Sequence, residues 1–125
     1  MSAIAIERVV PVLRMFDVAK AREFYIDWLG FKIDWEHRFD DNAPLYMQVS
    51  LGDLIFHLSE HHGDGSPGDT VRVNVRGLEA WNRELLAKRY KYMRPGIQEQ
   101  PWKWKEMGVV DPCGNRILFC EEMKK

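Results

Sequence analysis

Cysteine is scarce in this chain, basic charge is not in excess, and no apolar run approaches the length of a membrane span. The two cysteines are Cys113 and Cys120, at a spacing that fits no zinc motif. So few thiols suit a reducing compartment, and a cytoplasmic location without disulfides is expected. Eighteen Lys and Arg against nineteen Asp and Glu leave a net charge of −1. That balance offers no basic face of the kind nucleic-acid binding depends on. A helix that spans a bilayer needs about 20 mostly apolar residues in a row, and none is expected here. The opening "MSAIAIERVV" lacks the basic region and following apolar stretch of a signal peptide. No Gly-x-Ser-x-Gly nucleophile motif, no phosphate-cradling glycine loop and no low-complexity segment occurs. No catalytic residue is assigned.

What is present is a core's worth of apolar residues, 46% of 125, which suits one domain. The stretch "HHGDGSPGD", residues 61 to 69, is rich in Gly, Asp and Pro and divides the chain. On either side the same order repeats. The first half, about 5–62, opens with "ERVVPVLR" as a strand. Asp17 is placed to cap a helix whose Val18, Ala21, Tyr25, Trp28 and Leu29 recur at helical spacing, and Gly30 is placed to end it. "KIDWEH", "LYMQVS" and "LIFHLSE" then read as strands. The second half, about 69–123, has "TVRVNVR" as a strand and "LEAWNRELLAKR" as a helix burying Leu78, Trp81, Leu85 and Leu86. "YMRPGIQ" is a weak strand interrupted by Pro95; "WKWKEMGVV" and "RILFCEE" are strands around a type I turn at "DPCG". The expected fold is α+β, two tandem βαβββ modules. Each sheet covers one face with its helix and leaves the other free to line a cleft.

The segment "WKWKE" raises a specific question. Strand alternation puts Trp102, Trp104 and Glu106 on one face and Lys103 and Lys105 on the other. Two such aromatics are either core or a wall for something flat. Trp28 and Trp81, on apolar helix faces, are read as core.

Two long segments, "VVPVLRMFDVAKAREFYIDWLGF" and "EQPWKWKEMGVVDPCGNRILFCEE", carry a resemblance to a known family. They resemble the vicinal oxygen chelate superfamily, which includes glyoxalase I, extradiol dioxygenases and bleomycin resistance proteins, and most of all its bleomycin resistance branch. Enzymes of the superfamily hold a divalent metal with His or carboxylate ligands from several strands. The resemblance carries those positions to Val10, His57, Thr70 and Leu118, and of these only His57 is a competent donor. A metal centre is therefore read as absent and no cofactor is expected. His61 and His62 lie close to His57 in sequence, on the expected loop.

The branch itself acts by sequestration. Its swapped homodimer holds a flat, cationic, heteroaromatic drug between aromatic side chains. The resemblance places its stacking positions on Trp35 and Trp102, with Trp104 beside them. Arg72 and Asn74 face the cleft if Val71, Val73 and Val75 face the helix. An arginine there favours a carboxylate or phosphate, so a bleomycin-family antibiotic and an anionic aromatic compound both stay open as ligand. The expected function is a metal-independent small-molecule binding protein, a homodimer without nucleic-acid or membrane partners, using Trp35, Trp102, Trp104, Arg72, Asn74 and His57. An enzyme of the glyoxalase or dioxygenase kind, with its metal on other residues, and a dimeric module without a dedicated cleft stay open beside it.

Overall fold

The computed structural model describes residues 3–123, with two four-stranded sheets built in the same order. In the first half, β1 (Val12–Arg14) precedes helix α1 (Val18–Arg22), followed by β2 (Lys32–His37), β3 (Tyr46–Leu51) and β4 (Leu54–Ser59). In the second, β5 (Thr70–Asn74) precedes α2 (Leu78–Ala87), β6 (Gln98–Glu99), β7 (Trp104–Val110) and β8 (Arg116–Glu122). The sheets run β1-β4-β3-β2 and β5-β8-β7-β6. In each, the strand before the helix lies parallel to the last strand and the rest are antiparallel. Two βαβββ units in an α+β fold are what the sequence predicts.

The first helix starts where expected: Asp17 accepts the Lys20 amide at 3.0 Å. Past Arg22 it continues without a break as a π-helical stretch, Glu23–Trp28. The Leu29 amide reaches back five residues to the Phe24 carbonyl at 3.0 Å. Phe24, three residues after Ala21 and four before Trp28, joins Tyr25, Trp28 and Leu29 on the buried face, a position not among those expected from the sequence. Gly30, at φ +92°, ends the segment. In the second half α2 begins after Gly77 (φ +84°), and a carboxylate from β8 takes its free amides. Glu121 accepts Gly77 N–H at 3.2 Å and Leu78 N–H at 3.0 Å. These bonds pull the Glu121 pKa below the ordinary carboxylate value, the Leu78 bond most. Leu78 and Leu85 are buried and Trp81 packs edge-on against Phe119 at 4.7 Å. Leu86, expected on the buried side, is 37% exposed, because it sits beside the stripe that Leu78, Trp81 and Leu85 complete.

Three strands are shorter than the sequence suggests. β1 starts at Val12, not Glu7: Pro11 has no amide to pair, and β1 has only β4 as neighbour. The segment before it leaves Ile4, Ile6 and Val9 exposed. The weak strand around Pro95 contracts to Gln98–Glu99. β7 begins at Trp104, not Trp102, since Gln100–Lys103 is a turn closed by Lys103 N–H to the Gln100 carbonyl at 3.0 Å. Pro101 occupies its second position and Lys103 takes a left-handed φ of +68°.

The halves meet through their cores. Phe24, Tyr25 and Trp28 from α1 and its extension reach the second half, where Trp28 stacks on Tyr90 and donates its indole N–H to the Leu85 carbonyl. Trp28 is buried core, as read from its helical position. Asp111, buried at the β7–β8 turn, accepts the Tyr25 hydroxyl at 2.6 Å, and Asn115 donates its side-chain amide to the Arg14 carbonyl at 2.9 Å. The "DPCG" turn is confirmed by Gly114 N–H bonding the Asp111 carbonyl.

Candidate functional site

With the helices covering one face of each sheet, the opposite faces carry the polar and aromatic side chains that do not enter the core. On the first sheet, Met47, Val49, Phe56 and Leu58 point into the core. Their alternates Tyr46, Gln48, Ser50 and His57 therefore occupy the other face, where Trp35 and Asp34 join them from β2. A register shift between Ile33 and Trp35 brings both residues there despite their being sequence neighbours.

These side chains form one directed hydrogen-bond chain. Gln48 Nε2 donates to Asp34 Oδ2 at 3.1 Å, and Ser50 Oγ donates to Asp34 Oδ1 at 3.0 Å. That fixes the Gln48 amide, leaving its Oε1 to face His57 Nε2 at 3.0 Å. An amide oxygen only accepts, so His57 carries its proton on Nε2. Its Nδ1 then accepts from the Tyr46 hydroxyl at 2.7 Å. Burial lowers the His57 pKa and keeps the ring neutral; burial, and then the Asp64 charge, raise that of Tyr46. Asp34 is held below the usual carboxylate value by the Gln48 and Ser50 bonds.

Trp35 lies over this network, nearly parallel to Tyr46 (6.0 Å, 12°) and edge-on to His57 (5.3 Å, 73°). It is 42% exposed, so one indole face is open. Beside it is a concavity of about 540 Å³ lined by Trp35, His37, Phe39, Tyr46, His61 and Asp64. Of the expected site residues, Trp35 and His57 are thus brought together. Tyr46, Gln48, Asp34 and Phe39 were missed. The alternation of "LYMQVS" pointed to Tyr46 and Gln48; nothing in the sequence marks Phe39. His61, assigned to a loop, forms part of the wall.

On the second sheet Arg72 and Trp104 are brought together as well. The Arg72 guanidinium sits 5.6 Å from the Trp104 ring and pairs with Glu106 at 2.7 Å. The guanidinium that would draw an anion is already paired. Val71, Val73 and Val75 are half-buried while Arg72 and Asn74 are exposed, the alternation expected. Asn74 and Trp104 border a shallow concavity with Arg76 and Glu122. Lys105 faces the helix, bonded to Glu79 and near Glu121.

Trp102 is placed differently from expectation. It occupies the tip of the β6–β7 turn, 57% exposed, and does not share a strand face with Trp104. The left-handed Lys103 turns the chain between them and breaks the alternation. Among the described residues Trp102 has no aromatic partner, and Trp35 belongs to the other sheet.

The donors do not fit a divalent ion. Both ring nitrogens of His57 are engaged, its neighbour across β1 is Val12, and Leu118 lies level with Arg72. Among the described residues no three His, Cys, Asp or Glu side chains are grouped to hold a metal. Cys113 is half-buried in its turn and Cys120 is buried on β8.

The whole chain, residues 1–125, matches the family model described as "Glyoxalase superfamily protein". The bleomycin resistance protein of Geobacillus stearothermophilus is 25% identical over 133 residues, covering 92% of this chain and 96% of that protein. Among solved structures, a glyoxalase-related enzyme from Clostridium phytofermentans aligns with a TM-score of 0.75 at 19% identity, over 98% of this chain and all of that one. The bleomycin-binding protein of bleomycin-producing Streptomyces verticillus, complexed with copper(II)-bleomycin, aligns with a TM-score of 0.67 at 25% identity, over 98% and 100%.

Proposed function

The chain belongs to the glyoxalase superfamily, and on that premise we propose that it is a metal-independent binding protein that sequesters a flat aromatic ligand in a cleft between two copies of itself in the cytoplasm. The observation that carries this is the open face of Trp35. An indole stacked on a tyrosine, edge-supported by a hydrogen-bonded histidine and left 42% exposed, is a rigid platform rather than core. Trp102, solvent-exposed on a three-residue hairpin turn, is the second wall. Because Trp35 and Trp102 sit on different sheets, the clamp is closed by the partner copy. The exposed Ile4, Ile6 and Val9 ahead of an edge strand with a free side support such pairing. Two relatives bear names that state bleomycin resistance or binding, which makes bleomycin the first ligand to try. Arg72, Asn74 and Trp104 line the second sheet's share of the cleft.

Titration with bleomycin under tryptophan fluorescence tests the reading. Binding quenches the emission, and Trp102→Ala and Trp35→Ala each weaken it by roughly 1–3 kcal/mol, about 5- to 150-fold. Sedimentation gives a particle of about 29 kDa, twice the 14.7 kDa chain. No quenching by bleomycin or other flat heteroaromatics, or a monomer at micromolar concentration, overturns it.

A further inference from the structure

A second crevice opens on the helix side of the sheets, away from the faces that carry Trp35 and Trp104. Its walls are Lys20 and Phe24 of the first helical segment, Tyr90, Tyr92 and Met93 beyond α2, and Val110 at the end of β7. Its volume is about 220 Å³, below that of a drug-sized pocket and enough for one ring system. The floor is apolar. Phe24 is buried, its ring lies 6.4 Å from Tyr90, and Tyr90 meets Tyr92 edge-on at 5.5 Å. Tyr92 is 59% exposed, so its ring adds little to the core.

Two carboxylates border the crevice, Asp111 and Glu23. Asp111 is spent: its Oδ1 accepts the amides of Cys113 and Asn115, and its Oδ2 accepts the Tyr25 hydroxyl and the Asn115 side chain. Burial first, and the Glu23 charge second, push the Tyr90 pKa up to about 12, so Tyr90 is a neutral wall.

The rim is basic, a local excess that the net charge of −1 conceals. From Arg83 to Arg94 five Lys and Arg stand against one carboxylate, Glu84. Lys88 is engaged with the Trp28 and Asp27 carbonyls. Arg83, Arg89, Lys91 and Arg94 are exposed and, like Lys20, make no ion pair among the described residues. In "RYKYMR", residues 89 to 94, these cations alternate with the lining Tyr90, Tyr92 and Met93. Lys91 Nζ sits 5.0 Å from the centre of the Tyr92 ring. Unpaired cations interleaved with accessible rings suit a ligand that joins an aromatic group to an anion.

We propose that this crevice binds an aromatic group carrying a phosphate, as a mononucleotide does, with the ring against Phe24, Tyr90 and Tyr92 and the phosphate at the rim beside Lys20, Lys91 and Arg94. A phosphate near −2 matches several unpaired cations better than a carboxylate of −1. Room for a single ring makes the ligand a small molecule and not a strand. The site is separate from the Trp35 platform and stands or falls independently of the sequestration reading.

The test is calorimetric titration at pH 7.5 with AMP, adenosine and inorganic phosphate. AMP is expected to bind about tenfold more tightly than adenosine, with added salt erasing the difference. Lys91→Ala combined with Arg94→Ala, both exposed, removes most of that ratio and leaves adenosine binding unchanged. Tyr92→Leu weakens AMP and adenosine alike by about fivefold. Inorganic phosphate binds more weakly than AMP. Equal affinity for AMP and adenosine, or an unaltered ratio in the double variant, overturns the site. Phosphate binding as tightly as AMP removes the ring's part in it and overturns it too. Competition between AMP and bleomycin would move the nucleotide to the cleft and overturn the outer site. A short oligoadenylate that binds far more tightly than AMP overturns the small-molecule assignment in favour of a strand.

Discussion

Arg72 and Glu106 face each other across the middle strand β8 of the second sheet, joined at 2.7 Å between Nη1 and Oε2. Glu106 is the more enclosed partner, its side chain 12% exposed against 44% for Arg72. Removing the arginine leaves a poorly solvated carboxylate beside Trp104 and Cys120.

Arg72→Ala is therefore expected to lower stability by about 1–2 kcal/mol, and Arg72→Ala with Glu106→Gln to recover part of that loss. Urea denaturation of the four proteins in the cycle measures it. Binding of aromatic carboxylates stays unchanged in Arg72→Ala, because the guanidinium is spent on Glu106. A tenfold loss of carboxylate affinity would restore Arg72 as an anion anchor.

The tryptophans separate by stability. Trp102→Ala changes stability by no more than about 0.5 kcal/mol, since the side chain stands on an exposed turn. Trp81→Ala costs about 3 kcal/mol through its lost packing on Phe119. Thermal melts of the two variants distinguish them directly.

His57 gives a pH dependence with a definite sign. Burial lowers its folded pKa below the ordinary value of about 6.5, so the folded state binds fewer protons than the unfolded one. The stability this contributes is present above pH ~6.5 and is lost as pH falls from there through the folded value. Protonating Nδ1 also ends its role as acceptor for Tyr46. Acidification from pH 7 to 5 is expected to alter Trp35 emission and weaken stability; in His57→Gln both responses shrink. A His57→Gln profile identical to wild type would show that His57 is not the group responsible.

Much of the fold was legible because it repeats. Alternation in "TVRVNVR" and helical spacing after Asp17 each have one physical solution, and the structure follows them. Where the sequence misleads, a backbone event intervenes. Lys103 adopts a left-handed conformation that no residue type there advertises, and the chain turns between Trp102 and Trp104. Pro101 was the one visible hint that "WKWKE" begins in a turn. The candidate site was less legible. His57 and Trp35 stood out singly, but their joining through Tyr46, Gln48 and Asp34 depends on strand register, and Phe39, His61 and Asp64 converge only through two loops.

Tyr25→Phe is expected to destabilise by roughly 1.5–3 kcal/mol, the range for a lost hydrogen bond to a charged group. The Tyr25 hydroxyl, held above the ordinary phenol value by burial first and Asp111 second, reaches across between the halves. Chemical denaturation at pH 7 measures the loss; a value under 0.5 kcal/mol would show that Asp111 is satisfied without it.

Asp111 also takes the amides of Cys113 and Asn115 and the Asn115 side chain, so the hairpin that shapes the last two strands is tied to one tyrosine on the first helix. The two halves, alike in element order, are consequently not free to be shuffled. A chimera that draws its first half from a relative lacking this tyrosine inherits a buried acceptor without its donor, and a hydrogen bond between the halves is lost. The two halves look interchangeable in outline, but through Tyr25 and Asp111 they must change together.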